Sequence, residues 1–400
     1  MEQWKKNLWV STAAVFIVSV GMSQMAPILP LYIQHLGIHN LQEVEEWAGI
    51  IFGANFISLT IFSPIWGSMA DKYGRKPMVL RASLALSCVM VGIGLAQSVY
   101  QLAALRLLQG TMSGFQGAIV PLIASQTPAD RSGWALGIIF TGQVSGSLFG
   151  PLFGGWLAEM IGFRQSFWVS GFCCFLGFLA LLIFLKEEFV PIEKKEQLSF
   201  RQAWQQLPRP DFILFLFGTI WMIQFTLASM IPIVTVYVTQ LAPPDQDHLA
   251  LLAGGVYAAS GFASMLAASP IGHASDRIGA RKVLLASLVV AGVIFIPQAY
   301  ASNPIELGVY RFILGIATAG LLPSVNALIK LNTPDAVLSR IYGLNFSAQF
   351  MGMFFGAVVG GHIASWLGIP MLFLICAALL LATAALGYMM MKGVSHESMV

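Results

Sequence analysis

The sequence predicts an all-α integral membrane protein with twelve transmembrane helices in two six-helix bundles related by a pseudo-twofold axis. Three observations lead there. Hydrophobic residues make up 57% of the 400-residue chain and charged residues only 10%, against about 25% charged in soluble domains. The apolar residues gather into twelve runs, each close to the roughly 20 residues a helix needs to cross hydrocarbon. A polar pattern then occurs twice in matching settings, 205 positions apart.

The runs lie at about 9–35, 47–70, 78–97, 100–125, 134–160 and 166–185, then at about 211–240, 249–272, 282–300, 304–329, 341–366 and 369–391. Between the two groups of six, Lys186 to Pro210 carries Glu187, Glu188, Glu193, Lys194, Lys195, Glu196, Arg201 and Arg209, the one long hydrophilic connection. The expected organisation is therefore an N-terminal bundle over 1–185, a cytoplasmic linker over 186–210 and a C-terminal bundle over 211–400. The short basic N-terminus leads into the first run with no small-residue cleavage site, so it is read as a retained helix.

The duplicated pattern is Gly-x-x-x-Asp-[Lys/Arg]-x-Gly. Its first copy is Gly67, Asp71, Gly74 and Arg75 within Gly67–Pro77, and its second is Gly272, Asp276, Gly279 and Arg281. Charge and glycine between two spans imply a tight polar turn at the membrane surface. The match extends further at the same offset. Pro27 meets Pro232, Tyr32 meets Tyr237, Arg106 meets Arg311 and Gly110 meets Gly315; after a one-residue slip Gly137 meets Gly343 and Gly155 meets Gly361. Copies separated by six spans share one orientation, the parallel repeat of two-bundle transporters, with a cavity expected on the axis between the halves.

Basic residues set the orientation. Lys5, Lys6, Lys72 to Arg81, Arg131, the linker, Arg277 to Lys282, Lys330, Arg340 and Lys392 all fall on one side, with Arg164 the loop exception. Both termini and the linker are thereby expected in the cytoplasm.

Polar side chains within spans avoid lipid and face a cavity or another helix. The candidates for a substrate cavity are Arg106, Gln109 and Gln116 on one face of the fourth span, with Gln24, Asn55, Gln143, Gln224, Asn345 and Gln349 elsewhere. Interhelical hydrogen bonding explains any single Gln or Asn equally well. Arg106 and Arg311, about two turns inside their spans, need a carboxylate, a carbonyl or water, as structural clamps or as sensors of substrate. In the fifth span Gly142, Gly146, Gly150, Pro151, Gly154 and Gly155 form a stripe for close helix contact with a proline kink. Met25, Trp221, Phe225, Phe346 and Phe350 suit a flat apolar ligand, though packing is the commoner use of such residues.

The motifs together resemble the major facilitator superfamily over essentially the whole chain. Gly67 to Lys76 is similar to its loop 2–3 signature, Arg106 and Gly110 to its fourth-helix signature, and Gly142 to Gly155 to the fifth-helix signature of antiporters. Pro27 with Pro30, the Ser63-Pro64-x-Trp66-Gly67 lead and the Leu122 to Gln126 run resemble the drug:proton antiporter branch and bacterial multidrug efflux pumps. The resemblance implies a secondary active transporter, not an enzyme, that exports amphipathic organic compounds by alternating access in exchange for protons. It also implies that the duplicated turn latches the cytoplasmic ends in one conformation, with Asp71 at the N-terminus of a helix of the other half.

One departure stands out: the first, fifth, seventh and tenth spans hold no carboxylate in their interiors. Glu159 and Glu306 fall near span ends, Glu43, Glu45 and Glu46 ahead of the second span, and His35 and His362 are the other titratable candidates. Proton coupling is thus carried by the resemblance alone. An anionic metabolite or siderophore is the alternative cargo, suggested by two buried arginines. A membrane enzyme or receptor is the alternative class, against which stand the absent nucleotide loop, metal-spaced histidines and nucleophile motif. The four cysteines, all in apolar runs, read as packing residues. No cofactor, metal or nucleic-acid partner is expected; the partners are a lipophilic small molecule, protons and the bilayer, and the protein is expected to be a monomer.

Overall fold

The structure, a computed structural model, describes residues 2–128, 131–187, 204–243 and 248–392, and the long elements among them are all α-helices. In the first half these are α1 (Gln3–Ser23), α2 (Met25–His35), α3 (Leu41–Tyr73), α4 (Arg75–Leu95), α5 (Val99–Thr111), α6 (Phe115–Gln126), α7 (Ser132–Ile161) and α8 (Phe163–Phe184). The second half repeats them as α9 (Pro210–Met230), α10 (Ile233–Leu241), α11 (Leu249–Ile278), α12 (Ala280–Gln298), α13 (Pro304–Thr318), α14 (Leu321–Leu331), α15 (Asp335–Leu367) and α16 (Ile369–Lys392). They form 12 spans long and apolar enough to cross a membrane.

Four spans consist of two helices each, and the breaks match between halves. The α1/α2 break falls at Gln24, just before Pro27, whose ring crowds the carbonyl four residues back and which lacks an amide proton. Pro232 sits at the corresponding α9/α10 break. The fourth span breaks between Thr111 and Phe115, where Gly114 adopts φ +109°, and the tenth breaks at Ala319 and Gly320.

Two expectations are corrected. The tight polar turn expected over Gly67–Pro77 occupies only one residue of it: α3 continues through Tyr73, Gly74 alone reverses the chain at φ +98°, and α4 starts at Arg75. Gly279 does the same at φ +90° between α11 and α12. A residue without Cβ reaches this backbone region at little cost, so one glycine suffices. The second correction concerns Glu43, Glu45 and Glu46, which lie not ahead of the second span but in the first two turns of its helix, α3.

The chain divides into two compact units. The first comprises Met1–Asn40, Ile50–Lys194 and Pro244–Ala258; the second comprises Leu41–Gly49, Lys195–Pro243 and Ala259–Val400. Helices α3 and α11 each pass from one unit to the other. Within the first unit α1 packs along α7 and α4 along α8, and within the second α9 packs along α15 and α12 along α16.

Glycines set these contacts. A Cβ on Gly146 would fall 2.5 Å from the Phe16 carbonyl oxygen, and one on Gly154 would fall 2.5 Å from Gln24 Cβ, so α7 can touch the α1 backbone only through glycine. The second unit repeats the ladder with Gly352, Gly356 and Gly360 of α15 against Trp221, Phe225 and Ser229 of α9. Of the two stripes, only that of the fifth span is among the expectations from sequence. The expected Pro151 kink does not interrupt α7, which is helical on both sides of it.

Candidate substrate site and latch turn

Arg106 is the most deeply placed cation of the first unit, 3% exposed. Its Nη1 donates to Gln109 Oε1 at 2.6 Å, its Nε reaches the Ile51 carbonyl at 3.5 Å, and its guanidinium lies 5.1 Å from the centroid of the Phe52 ring. No carboxylate pairs with it among the described residues. Close by, Gly110 lies against the Asn55 backbone, and both Gln109 Nε2 and Asn55 Oδ1 are buried without a partner. Buried polar atoms ordinarily find partners, so this cluster is chemically suited to a polar ligand group or water.

Gln116 does not share that face as expected. The break after Thr111 interrupts the helical register, and Gln116 is exposed on α6, where its Oε1 accepts from Gln143 Nε2 at 3.2 Å. The break is held by two donors that sequence reasoning missed. Trp66 Nε1 donates to the Thr111 carbonyl and Arg81 Nη2 to the Ser113 carbonyl, each at 2.6 Å, with the guanidinium stacked 3.3 Å from the Trp66 ring centroid. Carbonyls freed by a break need such partners. The Gly110–Gly114 run inside an apolar segment was the available signal.

Gln24, at the α1/α2 break, is fully buried, and its Oε1 accepts from Ser170 of α8 at 2.7 Å. In the second unit Gln224 is buried on α9, Asn345 on α15 donates to Asn326 Oδ1 at 3.0 Å, and Gln349 is half-buried on the same helix. Arg311 is buried on α13 at the position equivalent to Arg106. The candidates thus form one group in the first unit, Arg106 with Gln109 and Asn55, one pair on α6 and α7, and an Asn pair in the second unit.

At the latch turn, Arg75 Nη1 donates to the Pro121 carbonyl at 2.6 Å. The backbone amides of Arg75 and Lys76 donate to the two carboxylate oxygens of Glu187 at 2.9 and 2.7 Å, so an acidic side chain following α8 caps the N-terminus of α4. Only the backbone of Asp71 is described; its side chain lies outside the described ones. Gly67 and Gly272 have open space where a Cβ would stand, and Asp276 is exposed. Arg281 is half-buried on α12. In the antiporter-type stripe, Gly150 faces Ser23, while a Cβ on Gly155 would fall 2.5 Å from the Ala250 carbonyl oxygen within the first unit.

At the starts of α3 and α11 the two halves again correspond. In the second unit a Cβ on Gly361 of α15 would fall 2.7 Å from the Glu45 carbonyl oxygen, and Glu46 Oε1 accepts from Ser365 Oγ at 3.0 Å and Trp366 Nε1 at 3.2 Å. In the first unit Glu159 of α7 accepts from the Leu251 amide at 2.8 Å and lies 2.9 Å from His248 Nδ1.

Twelve spans in repeated sets of six, broken at matching depths and carrying buried polar groups, are the architecture of a secondary transporter. The chain belongs to the Major Facilitator Superfamily, whose family model matches residues 12–262 and 245–398. It is 37% identical over 397 residues to the multidrug resistance protein MdtG of Rahnella sp., covering 99% of this chain and 96% of that one. It is 39% identical over 381 residues to MdtG of Serratia proteamaculans, covering 95% and 92%. Among solved structures, the POT family transporter PepTSo superposes with a TM-score of 0.80 at 12% identity, over 98% of this chain and 99% of that one. A bacterial homologue of the lysosomal transporter Spinster does so with 0.78 at 14% identity, over 98% of both chains. The protein is a multi-pass membrane transporter related to the multidrug resistance proteins, not an enzyme.

Proposed function

We propose that this transporter exports amphipathic organic compounds from a bacterial cell in exchange for protons, with both termini in the cytoplasm. The observation that carries the reading is the 37% identity to MdtG across 99% of the chain. The site agrees in character: Arg106, Gln109 and Asn55 supply a few polar groups in apolar surroundings, as sites for drug-sized molecules do. Gln116 with Gln143 in the first unit, and Gln224, Asn345 and Gln349 in the second, are proposed as further substrate contacts.

The turns at Gly74 and Gly279 are proposed to latch one conformation of the cycle. A mid-helix glycine costs about 0.5–1 kcal/mol relative to alanine, and Gly67 and Gly272 have no neighbour that excludes a side chain. A close approach made in another conformation accounts for both.

That no carboxylate pairs with Arg106 among the described residues supports a second reading, an anionic cargo. Dye transport into everted membrane vesicles, with and without an imposed pH gradient, tests the proposal. Gradient-dependent uptake inhibited by lipophilic cations is expected. Uptake indifferent to the gradient removes the proton exchange, and inhibition by citrate-like anions in place of cations favours the second reading.

A further inference from the structure

Glu45 is the only acidic side chain buried among the described residues, 4% exposed. No hydrogen bond or ion pair is made by its carboxyl among the described residues. It sits in the second turn of α3, where the helix backbone runs against α15 at Gly361 and where Gly49, one turn on, meets Ala357. The other charged and titratable groups of this crossing are accounted for. Glu46 is held by Ser365 and Trp366, Glu43 is exposed on α3, and His362 of α15 is exposed with Nδ1 against the Val358 carbonyl at 3.1 Å. Among the described residues no basic side chain pairs with Glu45, and His39, ahead of α3, is exposed. An ionised carboxylate buried without a partner is costly and takes up a proton instead.

We infer that Glu45 binds the proton exchanged for substrate, an assignment that rests on the proton-exchange reading above. The geometry gives the coupling. Helix α3 belongs to the second unit through Gly49 and to the first unit from Ile50 onward. In this inference the first turns of α3, which lie in the second unit with α15, part from it in one state of the cycle. With Glu45 protonated the crossing closes over a neutral group. When the O–H bond breaks and the proton leaves to water, the carboxylate remaining in the crossing opposes closure until α3 parts from α15. Proton uptake from the water then reached permits closure again. No oxidant, metal or covalent intermediate enters the step.

The test uses the full chain with its four cysteines replaced and spin labels at Leu41 and Leu367, exposed positions near the ends of α3 and α15. Their separation is followed from about pH 5 to about pH 8. The parent is expected to shift to longer distances as pH rises. Glu45→Gln is expected to keep the short distance throughout, whereas Glu45→Asp and Glu46→Gln retain the response. In proteoliposomes Glu45→Gln is expected to lose gradient-driven dye uptake by on the order of tenfold, and Glu46→Gln to keep it. A Glu45→Gln protein that follows the parent in its pH response, or a parent with no pH response, overturns the assignment. If the parent responds through Glu45 but its dye uptake ignores the gradient, the exchange reading falls and the proton site stands.

Discussion

The Tyr32 hydroxyl donates to the Ile93 carbonyl at 2.8 Å, joining the second helix of the first span to the end of the third span. Tyr237, 205 positions later, donates to the Ala299 carbonyl at 3.3 Å. Each ring also packs on a phenylalanine, Phe167 or Phe373, with centroids 5.4 Å apart. The repeat therefore reaches individual hydrogen bonds as well as helix order. Tyr32→Phe is expected to lower stability by about 1 kcal/mol with transport intact, and Tyr237→Phe by less, its bond being longer. Thermal unfolding in detergent, beside dye transport, measures both.

The glycine ladders are expected to be sharply position-dependent. Gly146→Ala places a methyl 2.5 Å from the Phe16 carbonyl oxygen and should cost about 1–3 kcal/mol by overpacking. Gly356→Ala, against the Phe225 backbone, should behave alike. Gly117→Ala meets open space and should leave stability equal or slightly raised. Equal losses at all three positions, read as folded protein recovered from membranes, would refute close helix contact as the reason for the ladder.

Much of this was legible in the sequence, and the limits have physical causes. Hydropathy located the twelve spans because a lipid-crossing helix must be apolar over its length. The offset relating Pro27 to Pro232 and Arg106 to Arg311 exposed the duplication. Pro27 and Pro232 marked the breaks in the first and seventh spans, whereas the one at Gly114 carried only a glycine signal because a broken span stays as apolar as an unbroken one. The extent of α3 was missed because charged side chains at a helix end can sit in water while the backbone stays helical, so polarity from Gly67 to Pro77 resembled a loop. The Gly352, Gly356 and Gly360 spacing is as plain in the sequence as that of the fifth span. The pairing of Glu187 with the turn it caps joins residues over a hundred positions apart, and nothing in local pattern marks it.

That cap yields its own expectation. Glu187→Ala removes acceptors from the Arg75 and Lys76 amides and should destabilise the start of α4 by about 1 kcal/mol. Glu187→Gln, which keeps one acceptor oxygen and loses the charge, should fall between. Hydrogen exchange at the first turn of α4 is the direct readout, with faster exchange expected in the order parent, Gln, Ala.

Arg106 is expected to tolerate no substitute. Arg106→Gln removes the charge, and Arg106→Lys keeps it but loses the planar guanidinium that reaches Gln109 and stacks near Phe52. Each should reduce dye transport on the order of tenfold, the rate equivalent of one charge-assisted hydrogen bond, at normal protein levels. Undiminished transport by Arg106→Lys would show that charge alone suffices.

The account depends most on movement at the crossings, where α3 meets α15 and α7 meets α11. A pair of cysteines replacing Glu159 and Leu251, whose carboxylate and amide lie 2.8 Å apart, can be joined by a short reducible cross-linker in protein otherwise free of cysteine. Transport should stop when the link forms and return when it is reduced. Transport at the unlinked rate with α7 and α11 held together would contradict alternating access by this route.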